Sequence, residues 1–121
     1  MFYEQHKDWI TEQEHTDIIK SVVLADKWSF GQTSDNNRYD LNFPMWTQGF
    51  FKVKDQQFTQ DTPDIIKTIS LRFVAQCPED YVLIRSMACA NTFGLDGDFH
   101  TDWPSPNKSV TGVLYTDKTW E

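Results

Sequence analysis

The sequence predicts an α+β domain in which two helices precede a sheet, and three observations carry that expectation. Thr11-Glu12-Gln13-Glu14 is a capping box, and it opens a stretch whose apolar residues recur at helical spacing. Asp61-Thr62-Pro63-Asp64 is a second helix start. Beyond Pro78 the pattern changes to apolar runs of strand length, separated by turn-forming residues.

Residues 1–10 have no clear period, and Phe2, Trp9 and Ile10 are the candidates to pack on the elements after them. Ile18, Ile19, Val22 and Val23 then share one helical face, opposite Asp17, Lys20 and Ser21. This predicts a helix from about Glu12 to Ala25 that covers one side of a sheet. Lys27 to Asp40 reads as a short strand around Trp28 and Phe30 followed by a polar loop. Leu41 to Val53 holds Phe43, Trp46, Phe50 and Phe51, broken by Pro44 and Gly49. Such a cluster can line a substrate entrance, but core packing is its commoner use.

In the second helix Thr62 is expected as the cap, with Pro63 at the first helical position and Asp64 favourably placed on the helix dipole. Ile65, Ile66, Ile69, Phe73 and Val74 form its apolar stripe, and Pro78 lies beyond its end. Tyr81 to Ala90 is a continuous apolar run, which predicts a strand buried on both faces. Arg85 interrupts that run, either as a contact to a ligand or, more simply, as a partner for one of many carboxylates. Ser109 to Tyr115 is a further strand, with Thr111, Val113 and Tyr115 on one face and Val110, Gly112 and Leu114 on the other.

A length of 121 residues suits one domain, 1–121. The net charge of −7 argues against a nucleic-acid backbone or an anionic membrane as partner, because both select for Lys and Arg. Two cysteines, Cys77 and Cys89, are too few for a disulfide framework and fit a reducing compartment as small apolar residues. With no basic apolar leader and no membrane-length apolar stretch, a cytoplasmic location is expected.

The chemistry concentrates in Asn91-Thr-Phe-Gly-Leu-Asp-Gly-Asp-Phe-His-Thr-Asp-Trp103. On a strand, side chains two apart share a face, so His100 and Asp102 can aim an imidazole nitrogen and a carboxylate oxygen at one point. That is two-thirds of the two-His, one-carboxylate triad that holds ferrous iron with positions left open. The same tripeptide recurs as His15-Thr16-Asp17, but inside a predicted helix, where residues two apart point roughly 200° apart and cannot chelate. Asp96-Gly97 is a tight-turn dipeptide, so the second copy enters a strand just after a turn.

The stretch from Tyr81 to Glu121, about a third of the chain, resembles the iron(II)- and 2-oxoglutarate-dependent oxygenases, above all their prolyl-4-hydroxylase-like and bacteriophage-type members. The matching pieces are the strand ending Met-Ala-Cys-Ala-Asn, the glycine-containing turn, His-Thr-Asp, and Val110-Thr-Gly-Val-Leu-Tyr-Thr-Asp-Lys-Thr-Trp120. The resemblance implies a double-stranded β-helix, or jelly roll, supported by the two N-terminal helices. It implies His100 and Asp102 as iron ligands, and Tyr115 as a hydrogen-bond donor to the far carboxylate of 2-oxoglutarate. Asn91, where the strand ends, is a second candidate for the co-substrate or iron-bound water; Asn at a turn entry also has ordinary backbone reasons.

Family members continue through a Gly-Gly-Glu turn into strands that carry the second iron-binding His and a basic residue for the co-substrate. This sequence ends at Glu121 without them, and its other histidines, His6 and His15, match neither. The expectation is therefore an incomplete jelly roll, an oxygenase portion that is inactive alone. It would hold Fe(II) and 2-oxoglutarate weakly and expose sheet edges prone to pairing. The alternative is a non-catalytic, jelly-roll-like binding module or an inert fragment, in which His100 and Asp102 are polar surface. The primary substrate is not legible.

Overall fold

The structure is a computed structural model, and it describes residues 4–32, 45–90 and 109–117. In chain order the elements are α1 (Glu12–Ile18), a π-helical turn (Ile19–Val23), β1 (Ser29–Gln32), β2 (Met45–Lys52), β3 (Gln57–Phe58), α2 (Asp64–Ala75) and β4 (Arg85–Ala90). Helices and an antiparallel sheet are both present, as an α+β reading requires.

The capping box forms as the sequence predicts. The backbone N–H of Glu14 donates to Thr11 Oγ1 at 3.1 Å, and the backbone N–H of Thr11 donates to Glu14 Oε1 at 2.9 Å. The α-helix then ends sooner than the expected Ala25. From Ile19 the turns widen, and the N–H of Leu24 reaches back to Ile19 O at 2.9 Å. Side chains satisfy carbonyls at this end: Gln48 Nε2 donates to Val22 O at 2.8 Å and Trp28 Nε1 to Val23 O at 3.2 Å.

Among the described residues, strand β2 is the centre of a four-stranded sheet. β4 pairs along one of its edges, while β1 and β3 pair with the two ends of the other, all antiparallel. The β2–β4 register runs from Trp46 opposite Ala90 to Gly49 opposite Met87, then resumes with Phe51 opposite Ser86, so Phe50 is the extra residue of a bulge. Its carbonyl is not wasted: it accepts from Thr59 N at 2.8 Å and from Thr62 Oγ1 at 3.3 Å.

The Phe50 ring enters the helical layer on the same face as Gln48, two residues before it. Ile18, Val22, Phe50 and Ile66 form the buried core, with Trp28, Phe58, Ile65, Ile69 and Ala88 packed against it. Ser70 on α2 and Ser86 on β4 lie 2.9 Å apart, oxygen to oxygen, tying the second helix to the same sheet face. The first helix thus covers one side of a sheet, as its apolar stripe predicts. The aromatic cluster divides: Phe50 is core, Phe51 stacks edge-on against Phe58, and Trp46 meets Phe30 at an exposed margin.

Three expectations need correction. Pro63, not Thr62, is the N-cap of α2, because the Thr62 hydroxyl is buried against Phe50 O and Thr59 Oγ1. The run Tyr81–Ala90 is not a strand buried on both faces. Only Arg85–Ala90 joins the ladder, and its side chains are half-buried or exposed, because the helices cover the Ser86 and Ala88 side while Arg85, Met87 and Cys89 alternate away from it. Cys89 is accordingly exposed rather than a core residue, while Cys77 is half-buried.

Candidate functional site

Strand β4 delivers the chain to the motif-bearing stretch, since Ala90 is followed directly by Asn91. Asn91, His100 and Asp102 lie outside the described residues, so their mutual geometry is not part of this structure. Arg85 at the start of β4 is exposed, opposite Lys52 in the ladder, and among the described residues it has no carboxylate partner.

Tyr115 is described, and its setting differs from expectation. The segment 109–117 makes no ladder with the sheet among the described residues; it is held on the helical layer instead. Gly112 lies against the ring of Phe73 on α2, so closely that a Cβ there would sit 2.8 Å from Cε2. Four residues later Thr116 O accepts from His15 Nε2 on α1, at 2.7 Å. Val113 and Tyr115 are 68% and 64% exposed. The Tyr115 side chain is therefore largely exposed.

The sequence reading missed the polar cluster that joins the N-terminal segment to both helices. Arg72 grips Glu14 through both guanidinium ends: Nη1 donates to Oε1 at 3.1 Å and Nη2 to Oε2. Nη1 also donates to Trp9 O at 3.3 Å, and the guanidinium sits 5.2 Å from the Trp9 ring centroid. Trp9 Nε1 donates to Gln76 Oε1 at 2.9 Å. Glu14 announces itself in sequence as a capping residue; nothing local marks Arg72 as its partner.

The Arg72 hydrogen bonds, seconded by the Thr11 N–H, pull the Glu14 carboxyl down from 4.5 to about 2. A carboxyl depressed in the folded state stabilises the fold above its unfolded value and loses that contribution as pH falls. Thermal melts are therefore expected to show the native chain losing stability from about pH 4.5 toward about pH 2, with the loss blunted in Glu14→Gln. Equal acid sensitivity in both proteins would remove Glu14 as the source.

Among the described residues there is no group of three or more His, Cys, Asp and Glu able to hold a metal. A cleft of about 70 Å³ between Lys27, Gln48, Asp61 and Pro63 falls well below the roughly 300–1,000 Å³ of ligand pockets. At its rim Asp61 is held below its ordinary value, first by the Thr59 hydroxyl and less by Lys27. No helix among the described residues is long and apolar enough to cross a membrane. No family model, curated protein or solved structure shows a significant match to this chain.

Proposed function

We propose that the chain is a portion of an iron(II)- and 2-oxoglutarate-dependent dioxygenase, a hydroxylase of the prolyl-4-hydroxylase-like or phage-type kind, built on a jelly roll. One observation carries this reading, and it is one of sequence: His100-Thr101-Asp102, placed just after the dipeptide Asp96-Gly97 and followed by Val110-Thr-Gly-Val-Leu-Tyr-Thr-Asp-Lys-Thr-Trp120. The arrangement of the sheet supports it. The helices take one face of β2 and β4, and β4 feeds the motif-bearing stretch directly.

The donor set suits the metal, since an imidazole and a carboxylate are the ligands of non-haem ferrous sites. His100 and Asp102 would hold the iron; Tyr115 would donate its hydroxyl hydrogen to the far carboxylate of 2-oxoglutarate, and Asn91 would bind co-substrate or water beside it. When bound, iron and 2-oxoglutarate supply oxidative decarboxylation coupled to hydroxylation of a C–H bond. The protein's part is to orient the co-substrate and exclude water. With three histidines and no second family-type ligand in these 121 residues, both groups should bind weakly and turnover should need completion. The net charge of −7 favours a non-nucleic-acid substrate, and two cysteines, too few for a disulfide framework, favour a cytoplasmic setting.

Anaerobic titration with iron(II) and 2-oxoglutarate tests the reading. The expected result is the visible charge-transfer band of the iron–co-substrate chelate, abolished in His100→Ala. No band even at saturating iron(II) and 2-oxoglutarate, with residual binding that ignores the substitution, would favour the non-catalytic binding module or inert fragment.

A further inference from the structure

We infer that His15 is a positioning residue for Tyr115, acting through the carbonyl of Thr116. The inference rests on the dioxygenase reading for what Tyr115 binds, but its structural half stands on contacts in the fold. The segment that carries Tyr115 is anchored on both sides of it. Gly112, three residues before, fits against the Phe73 ring, and Thr116, immediately after, accepts from His15 Nε2 at 2.7 Å.

A carbonyl oxygen can only accept, so the ring nitrogen facing it carries the hydrogen and His15 is the donor. The bond joins residues 101 apart in sequence and is partly buried, so it fixes the path of the segment and not merely a local turn. His15 in turn sits on the capped α1, one residue beyond the Glu14 that Arg72 holds against α2. Both anchors thus trace back to rigid helices. Tyr115, 64% exposed between them, has its backbone set on either side. The His15-Thr16-Asp17 copy that cannot chelate thereby gains a different role: its imidazole is used to hold chain.

The test uses protein labelled with ¹³C in its tyrosine rings, four in all, with Tyr115→Phe identifying the Tyr115 signal. His15→Phe keeps a ring of similar size and removes the donor; His15→Gln restores a donor; His15→Ala serves if the Phe variant fails to fold. We expect His15→Phe to shift or broaden the Tyr115 ring signal and to weaken 2-oxoglutarate binding to the iron(II)-loaded chain about fivefold, the scale of one net hydrogen bond. His15→Gln should recover most of both effects. In a Tyr115→Phe background, His15→Phe should leave co-substrate affinity unchanged.

A Tyr115 ring signal that ignores His15→Phe overturns the proposal whatever 2-oxoglutarate does. So does an affinity loss that persists in the Tyr115→Phe background. If the ring signal follows His15 while 2-oxoglutarate never perturbs Tyr115, the anchoring holds and the dioxygenase role of Tyr115 is what fails.

Discussion

Phe50→Ala is expected to lower the unfolding free energy by about 3 kcal/mol, at the lower end of the roughly 3–5 typical of large aromatic truncations. Phe50 is 5% exposed and is the one aromatic among the described buried core residues, beside Ile18, Val22 and Ile66. Its truncation would leave a void between the helical layer and the sheet. The effect falls toward the low end because no described side chain is completely enclosed, so neighbours such as Phe58 and Ile69 have room to close in. The main-chain bonds from Thr59 and Thr62 to Phe50 O do not depend on the ring and should survive. In urea titrations the midpoint should drop with an unchanged slope, and Phe51→Ala, at a half-buried position, should cost far less. Equal costs for the two would mean that Phe50 is not the ring that carries the core.

That contrast shows where the sequence is readable. Helix starts were legible because a capping box is local chemistry: Thr11 and Glu14 meet within three residues, and the apolar stripe behind them names the buried face. Thr62 misled because its hydroxyl found a sheet carbonyl, Phe50 O, that only tertiary structure brings near. The π-helical turn was illegible for the same reason: the donors that suit it, Gln48 and Trp28, come from later elements. Tyr81–Ala90 shows the limit of apolar runs, since composition gave the strand but not how many faces would be covered. The segment 109–115 has strand-like alternation, yet Phe73 and His15 hold it on the helices. Of the candidate site, only Tyr115 falls within the described residues, and its anchor, His15, was visible only as a tripeptide that could not bind metal.

Gly112→Val is expected to cost about 1–2 kcal/mol and to loosen the whole 109–117 segment. The glycine is required by close approach. A Cβ there would meet Phe73 Cε2 at 2.8 Å, Cζ at 3.0 Å and Cδ2 at 3.2 Å, all nearer than side chains pack. The two further methyls of valine make the clash worse, and relief has to come from the ring swinging aside or from the segment lifting. Phe73 is half-buried and rooted in α2, whereas Val113 and Tyr115 beside Gly112 are mostly exposed, so the segment is the softer partner. Its lifting would pull Thr116 O away from His15, and the two anchors would fail together. Hydrogen exchange should therefore quicken across 113–117 while β2 and β4 keep their protection. Phe73→Leu, which opens space beneath residue 112, should recover part of the loss when combined with Gly112→Val, so the two substitutions should be less than additive. Strict additivity would show that the ring is not what excludes the side chain. Unchanged exchange in 113–117 would show that the ring, not the segment, gives way, and that Tyr115 keeps its position without this anchor.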